Sequence, residues 1–435
     1  MSVLFQNVTA VTMDPANPVI QNAFVAVEGA RIASVGTGRP AGEFERVVDG
    51  AGKVLMPGFV NAHTHVPMTL MRGYGGGCGL QTWLHDYIFP AEAKLDERCV
   101  AAGAALGLAE MIASGTTCIA DMYMKTGTIA KTVLEAGISA NLSVGGVYFG
   151  DPADFSPETC GDCQNQIALT EQWHGAGDGQ ILADASIHAE YTSTAPLWQW
   201  MADYAQQHGL RMHVHVSETE SEHQSCVEKY GATPAQILDK YGVWQNGGVA
   251  AHCVWLSGGD AELFAKRGVT AVHNPVSNLK LMSGIAPLFF LRQCGMNVAL
   301  GTDGVASNNS HNMFEEMKAA ALVQNASFGK DNGQLSAADL LAMATVNGAR
   351  ALGREDTGVV APGKIADLIL IDFTHPNLFP CHDVLENLVY SAAPSNVVMN
   401  MARGKIIYEN GQFLTLDMDR IRAEMKDYAL PHIFG

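Results

Sequence analysis

The sequence predicts an α/β fold: a (β/α)8 TIM-like barrel with a small composite β-sandwich domain formed by the N- and C-terminal segments. Between about residues 56 and 360, eight apolar strand-like runs alternate with helical patterns, which is the order of a parallel barrel. These runs are apolar on both faces, as strands buried between helices are. A length of 435 residues also fits one large barrel with a smaller companion. We therefore assign residues 1–55 and 361–435 to the sandwich and residues 56–360 to the barrel.

The candidate barrel strands are short and strongly apolar, and helical patterns lie between them at residues 100–114, 196–207 and 261–266. Parallel strands need such crossover segments, because their ends lie at opposite edges of the sheet. The predicted strands are residues 55–62, 116–121, 140–144, 181–187, 211–216, 249–251, 269–273 and 297–301.

The segments on either side of the barrel look like short strands joined by tight turns. Gly29 stands at the centre of the first hairpin, where glycine adopts a left-handed backbone without a steric penalty. A short final helix is predicted at residues 419–428. The predicted strands and hairpins are residues 24–35, 47–55 and 363–372, and 397–402 paired with 404–411.

Composition and charge narrow the class of protein. Hydrophobic residues make up 48% and charged residues 16% of the chain, so a large core is expected and disorder is not. The net charge of −18, from 44 acidic and 26 basic residues, argues against binding to nucleic acid or to an anionic membrane surface. No stretch has the length and apolarity of a membrane span, and the N-terminus lacks the features of a secretion signal.

Nine cysteines are scattered along the chain. Their odd number favours reduced thiols in a cytosol over a disulfide framework, and we therefore predict a cytoplasmic protein. Cys160 and Cys163 form the one C-x-x-C pair. No second pair stands at zinc-ribbon spacing, so a packing role is favoured over a redox or zinc role.

His63 and His65 follow an apolar run at i, i+2 spacing. On a β-strand this spacing puts both imidazoles on one face, where they form half of a metal site. The alternative is a strand that happens to carry two histidines near a turn. The ends of three further predicted strands carry His215, His252 and Asp303. Because the active site of a parallel barrel forms at its strand ends, we predict a metal centre where these four strand ends meet.

Three neutral histidines and a carboxylate suit Zn²⁺, and Fe²⁺ accepts the same ligands. A bound cation lowers the pKa of water in its open position toward neutrality. Glu218 lies just beyond His215, at the mouth of the barrel, where a proton shuttle would sit. His213 shares a strand face with His215 but lies deeper, so we interpret it as a packed histidine or one that supports a ligand.

Together these residues resemble the metal-dependent amidohydrolase superfamily, and more closely its aminohydrolase branch, which deaminates purines and related rings. Three stretches resemble 5-methylthioadenosine/S-adenosylhomocysteine deaminases: NAHTHVPMTLMRG at residues 61–73, HNPVSNLKL at 273–281 and GTDGVASNNS at 301–310. The resemblance covers nearly the whole chain, including the composite β domain. Its metal motifs are specific for the branch and less specific for the substrate.

The resemblance implies one divalent metal per subunit, with His63, His65, His215 and Asp303 as ligands. Binuclear members of the superfamily add a carboxylated lysine on the fourth strand. Residues 181–188 contain no lysine, so a mononuclear site is expected. Related proteins are often oligomers, which leaves a homo-oligomer open.

The resemblance also implies hydrolytic deamination of a 5′-modified adenosine to the inosine analogue and ammonia. In this mechanism Asp303 accepts a proton from the attacking water, and His252 orients or polarises the attacking oxygen. Glu218 protonates the ring nitrogen beside the carbon that bears the amine. Each step needs a group within hydrogen-bond reach of the reacting atoms, which strand ends provide.

Three further residues match family positions that hold the nucleoside. Trp83 would pack against the substrate, Glu92 would accept hydrogen bonds from the ribose hydroxyls, and His188 would contact the nucleoside beside Glu218. The alternative for Trp83 is a core aromatic residue on a helix face.

One departure from the family concerns the substrate tail. Family members hold the homocysteine carboxylate with arginines, and this chain has no arginine between Arg98 and Arg211. A carboxylate bound without a cation loses a charge-assisted pair of about 1.5–3 kcal/mol. We therefore predict 5-methylthioadenosine, 5′-deoxyadenosine or adenosine as the substrate and disfavour S-adenosylhomocysteine.

Other functions are less consistent with the sequence. His188-Ala189-Glu190 matches half of a different zinc-deaminase motif, but its P-C-x-x-C half is missing downstream. The G-x-S-x-G motif of a serine hydrolase is also missing. An aminohydrolase or chlorohydrolase for another ring (guanine, 8-oxoguanine, a pterin or an s-triazine) stays open. An inactive scaffold would lack a ligand or the shuttle, and none is missing here.

Overall fold

The computed structural model describes residues 2–38 and 40–435. Met1 and Arg39, which fall inside the first predicted segment, lie outside the described residues. The strands form a nine-stranded sheet and two parallel sheets of five and four strands. In chain order they are β1 (Ser2–Val11), β2 (Val19–Glu28), β3 (Arg31–Thr37), β4 (Arg46–Asp49), β5 (Lys53–Pro57), β6 (Phe59–Thr64), β7 (Thr116–Met122), β8 (Ser139–Ser143), β9 (Ile181–Ala183), β10 (Ala185–Ser186), β11 (Met212–Val216), β12 (Gly248–His252), β13 (Val269–His273), β14 (Asn297–Leu300), β15 (Leu368–Asp372), β16 (Val397–Ala402), β17 (Lys405–Glu409) and β18 (Gln412–Phe413).

Strands β6 to β14 close into the predicted barrel. They pair in parallel in the orders β6-β7-β8-β9 and β10-β11-β12-β13-β14, and β9 and β10 are two halves of one strand interrupted at Asp184. The backbone N–H of Asp184 donates to Leu142 O at 2.9 Å, which joins the two arcs on one side. A parallel bridge between Thr64 and Asp303 joins them on the other. The eighth strand therefore delivers Asp303 directly beside the first.

The helices lie mainly between barrel strands, as crossovers require. They are α1 (Leu80–Thr82), α2 (Phe89–Glu92), α3 (Glu97–Ala113), α4 (Thr126–Ala136), α5 (Gly161–Trp173), α6 (Ala176–Gly179), α7 (Ala195–His208), α8 (Glu220–Tyr230), α9 (Pro234–Lys240), α10 (Gly258–Arg267), α11 (Pro275–Lys280), α12 (Leu288–Gln293), α13 (Val305–Asn308), α14 (Met313–Asn332), α15 (Ala337–Met343), α16 (Val346–Ala351), α17 (Val384–Tyr390), α18 (Met418–Glu424) and α19 (Leu430–Phe434).

The three predicted crossover helices are present as α3, α7 and α10, and α3 and α10 begin three residues earlier than predicted. Capping residues set these starts, since Asp96 accepts the Cys99 N–H and Ser257 accepts the Asp260 N–H. The predicted final helix is also longer, because the π-helical segment Met425–Ala429 continues α18 into α19. The prediction from apolar spacing missed the first turns of α3 and α10, because these turns are polar.

Strands from both ends of the chain form the nine-stranded sheet, in the order β18-β17-β16-β15-β5-β1-β2-β3, with β4 beside β1. The two chain ends meet where β15 pairs antiparallel with β5. The hairpins predicted at residues 24–35 and 397–411 are present, with Gly29 at a φ of 58° between β2 and β3. The prediction at residues 47–55 is wrong as a hairpin, because β4 and β5 each pair in parallel with β1 instead of with each other. These strands share an apolar cluster distinct from the barrel core, which includes Val3, Phe5, Val25, Leu55, Leu368 and Met399. The exact domain boundaries stay a prediction.

The predicted first barrel strand, residues 55–62, is wrong as a single strand. The structure ends β5 at Pro57, in the nine-stranded sheet, and begins β6 at Phe59, in the barrel. The change occurs at Gly58, whose N–H donates to Asp367 O. A Cβ at this position would lie 2.2 Å from Thr117 Cγ2, so only glycine fits. Both strands are buried on both faces, and the apolar run therefore carries no signal of the break.

Among the described residues, no helix has the length and apolarity needed to cross a membrane. All nine cysteines belong to this part of the chain, and each is a free thiol. Cys160 and Cys163 are buried at the start of α5, which is consistent with the predicted packing role.

Candidate active site

The predicted ligands meet at the carboxyl end of the barrel. Asp303 Oδ1 lies 3.2 Å from His65 Nε2 and 3.5 Å from His63 Nε2. The Nε2 atoms of His65 and His215 are 3.2 Å apart. Two overlapping triads have ligand atoms within 4.8 Å of one another, namely His63–His65–His215 and His63–His252–Asp303. This separation is what a single tetrahedral or five-coordinate cation spans with ligand distances of about 2.0–2.2 Å.

Hydrogen bonds orient the three histidines with their Nε2 atoms toward the centre. His65 Nδ1 donates to Met122 O at 2.6 Å, and His215 Nδ1 donates to His188 O at 2.8 Å. A carbonyl only accepts, so both rings carry a proton on Nδ1, and Nε2 is the ring atom left to bind a cation. His63 Nε2 is buried without a hydrogen-bond partner among the described residues. Three converging Nε2 atoms fit a cation at their centre.

Charge within the cluster leads to the same conclusion. Burial lowers the pKa of His63 to about 4 and holds the pKa of His215 well below its usual range, so both rings are neutral. Burial also acts on His65, but the hydrogen bond and charge of Asp303 outweigh it and raise the pKa of His65 to about 9. The cluster therefore stabilises one positive charge beside Asp303, a role that a divalent cation fills.

Asp303 is held in an unusual backbone conformation, with a φ of 61°. Its Oδ2 accepts hydrogen bonds from Ser277 Oγ at 2.5 Å and Ser307 Oγ at 2.9 Å, and its Oδ1 accepts the Gly304 N–H at 2.8 Å. Burial opposes ionisation, but the neighbouring His63 and His65 imidazoles hold the pKa of Asp303 well below its usual range. The carboxylate is therefore ionised and fixed in place.

Glu218 and His252 lie together beside the cluster. His252 Nδ1 donates to Asn278 Oδ1 at 2.8 Å, and its Nε2 lies 3.8 Å from Glu218 Oε2. Ser283 Oγ donates to Glu218 Oε1 at 3.1 Å. Burial raises the pKa of Glu218, which makes this carboxyl easier to protonate than an exposed one. A protonated Glu218 is able to donate a proton to a bound ring.

Comparison with known proteins places the chain in a family. The model of the Amidohydrolase family matches residues 54–407, which is most of the chain. The chain belongs to the amidohydrolase family. Among its relatives, the 5′-deoxyadenosine deaminase of Methanosarcina acetivorans is 40% identical over 98% of this chain and 97% of its own length. The 5-methylthioadenosine/S-adenosylhomocysteine deaminase of Pelotomaculum thermopropionicum is 40% identical over 99% and 98%.

The fold of this amidohydrolase also matches solved structures. A zinc-bound adenosine deaminase from Xanthomonas campestris superposes with a TM-score of 0.92 at 33% identity. The match covers 99% of this chain and 98% of that one. The predicted barrel with its companion β-sheet is therefore the architecture of this amidohydrolase.

A cavity of about 1070 Å³ opens from the cluster of His65, His215 and Asp303 along the ends of β7 and β8. Trp83, Glu92 and His188 line it, together with Glu218 and Asp303. Trp83 also packs in the core, and its indole N–H has no hydrogen-bond partner among the described residues. Burial raises the pKa of Glu92, which lies beside Tyr123. His63 does not line the cavity and is fully buried.

The sequence patterns missed several residues that support the site. Ser277 and Asn278, which hold Asp303 and His252, lie inside a stretch that resembles the family, but nothing in that stretch assigns their contacts. The T-x-x-E pattern from Thr219 to Glu222 indicates a capping role for Glu222. In the structure its carboxylate also accepts the Ser217 and Glu218 N–H groups, both at 2.8 Å.

Lys125 and Lys131 were also missed. Both are exposed and line the same cavity. Lys125 immediately precedes α4, and Lys131 lies within it. They are two cations in the segment between Arg98 and Arg211, which contains no arginine.

Proposed function

We propose that this amidohydrolase hydrolytically deaminates a 5′-modified adenosine, releasing the inosine analogue and ammonia. The observation that carries the proposal is that Trp83 and Glu92 line one cavity with the cluster, Glu218 and Asp303. An aromatic face for the base and a carboxylate for ribose hydroxyls fit a nucleoside better than a bare ring. The deaminase names of relatives at 40% identity over nearly the full length support the reaction class.

His63, His65, His215 and Asp303 would hold one divalent metal, and Zn²⁺ suits their neutral imidazoles and carboxylate. The zinc-bound adenosine deaminase at 33% identity supports this choice. When bound, the cation acts as a Lewis acid that activates water as a nucleophile near neutral pH. Side chains of the protein carry out the proton transfers and orient the attacking water.

Asp303 accepts a proton from the attacking water, because its carboxylate is ionised and fixed by two serine hydroxyls. His252 presents a bare Nε2 that orients this water, since its Nδ1 proton is held by Asn278. Glu218 delivers a proton to the ring nitrogen next to the attacked carbon. Negative charge therefore does not develop on the ring as the carbon becomes tetrahedral. The amine then leaves as ammonia after a second proton transfer.

Metal removal tests the proposal. Protein treated with a chelator is expected to lose ammonia release from 5-methylthioadenosine, 5′-deoxyadenosine and adenosine. One equivalent of Zn²⁺ per chain is expected to restore it. Metal analysis and an ammonia assay on this panel, with guanine and a pterin added, provide the measurement. Turnover of guanine or the pterin with no turnover of any adenosine would contradict the nucleoside assignment. Full activity without metal would contradict the proposed centre.

We expect kcat/KM for S-adenosylhomocysteine to be at least about 10-fold below that for 5-methylthioadenosine. A missing charge-assisted pair of about 1.5–3 kcal/mol corresponds to roughly 10- to 150-fold. Lys125 and Lys131 are exposed, and an exposed ion pair contributes only about 0–1 kcal/mol. Their replacement by alanine should therefore change turnover of S-adenosylhomocysteine less than about fivefold. A preference for S-adenosylhomocysteine that depends on either lysine would contradict this prediction.

A further inference from the structure

We infer that His213 is a positioning residue for the metal centre, because it provides the hydrogen-bond acceptor that directs His63 Nε2 toward the metal. The inference rests on the divalent metal centre proposed above. His213 is not one of the proposed ligands. It precedes His215 by two residues on β11, so it shares a strand face with that ligand, and it is fully buried.

The three histidine ligands are oriented in two different ways. His65 and His215 each donate Nδ1–H directly to a backbone carbonyl. His63 lies inside β6, and its Nδ1 instead meets His213 Nε2 at 2.8 Å. A hydrogen bond between two imidazoles has no intrinsic direction, since either ring is able to donate. Some other group must therefore decide which of these two nitrogens carries the proton.

The next two hydrogen bonds of this chain decide whether His63 Nδ1 or His213 Nε2 carries the proton. His213 Nδ1 lies 3.3 Å from Ser143 Oγ, and Ser143 Oγ lies 3.3 Å from Asp121 O. The Asp121 carbonyl only accepts, so the Ser143 hydroxyl donates to it and accepts from His213 Nδ1–H. His213 Nε2 is then bare and accepts from His63 Nδ1–H. Each of the three ligands is therefore oriented by a backbone carbonyl, and His63 reaches its carbonyl through His213 and Ser143.

The opposite direction would put a proton on His63 Nε2, facing the cluster. A ring with that tautomer does not bind a cation until the proton moves. The first direction puts the His63 proton on Nδ1, as the carbonyl contacts do for the other two ligands, and leaves Nε2 to bind the cation. His213 and Ser143 are therefore expected to act as one unit that raises metal affinity.

The test measures Zn²⁺ affinity by competition with a chromophoric chelator, together with the thermal unfolding temperature of the metal-free protein. His213→Leu removes the acceptor and should weaken Zn²⁺ binding about 10- to 100-fold, the usual effect of losing such a partner. His213→Gln retains an acceptor oxygen and should keep most of the affinity. Ser143→Ala should weaken binding less than His213→Leu, because it removes only the group that sets the direction.

The double variants distinguish a hydrogen-bond chain from simple packing. Ser143→Ala should have no further effect on Zn²⁺ affinity in the His213→Leu background, because the chain is already interrupted there. Additive effects of the two changes would overturn the inference. So would equal affinities for His213→Leu and the unchanged protein, or a loss in His213→Gln as large as in His213→Leu.

His273→Leu is the matched control, because His273 is a buried histidine on β13 with no hydrogen bond to either ring nitrogen among the described residues. It should leave Zn²⁺ affinity unchanged. If the unchanged protein binds no Zn²⁺, the proposed metal centre fails. If it binds Zn²⁺ and only the His213 predictions fail, this inference alone is overturned.

Discussion

Replacement of Asp303 by asparagine is expected to lower kcat for adenosine deamination about 10³- to 10⁴-fold, the upper part of the range for a lost general base. Asparagine has nearly the same shape, and Ser277 and Ser307 are still able to donate to its oxygen. It has no negative charge and accepts no proton from the attacking water. The measurement is ammonia release under saturating substrate, with metal content determined on the same sample.

Asp162→Asn is the matched control for this change. Asp162 lines the same cavity, and its carboxylate accepts the Val147 N–H at 2.9 Å, which an asparagine oxygen also does. This variant should retain activity within a few-fold. An Asp303→Asn protein with its full metal content and ordinary kcat would show that another group accepts the proton. A protein that has lost its metal would assign the effect to ligation instead.

Replacement of Glu218 by glutamine is expected to lower kcat about 10²- to 10⁴-fold while metal content stays the same. Glutamine is able to hydrogen-bond to a ring nitrogen but does not transfer a proton to it. Stability should not fall, because the change removes a buried carboxyl whose ionisation burial already disfavours. Steady-state kinetics and thermal unfolding of the metal-loaded protein check both parts of this prediction.

Glu97→Gln provides the comparison, since Glu97 is an exposed carboxyl that lines the same cavity and contacts none of the proposed catalytic groups. It should leave kcat nearly unchanged. A Glu218→Gln variant that raises KM and leaves kcat intact would make Glu218 a binding residue only. A large loss of unfolding temperature would instead indicate a structural role.

Much of the architecture follows from local patterns. Apolar runs of strand length, separated by helical segments, predict a parallel barrel because such strands are buried on both faces. The i, i+2 spacing of His63 and His65 predicts convergent imidazoles for the same local reason. Strand order then predicts that His215, His252 and Asp303 share one rim with them. Their catalytic and ligand roles stay predictions that the variants above test.

Other features depend on contacts between residues far apart in the chain. The run at residues 55–62 gives no sign that Gly58 divides it between two sheets, since both strands are equally apolar. Lys125 and Lys131 have ordinary surface surroundings in the sequence, and only the barrel brings them to the cavity. The long-range pairing of β5 with β15 also follows from packing rather than from any local signal.

Periodicity and spacing are local properties, so the fold class, the order of the strands and the residue types at their ends are predictable from the sequence. How each group is held depends on contacts that form only in the folded protein. The orientation of His63 depends on His213 and Ser143, which lie 150 and 80 positions away in the chain. The direction of a hydrogen bond is set by whichever acceptor lies at the end of its chain, and that acceptor is chosen by the packing of neighbouring strands.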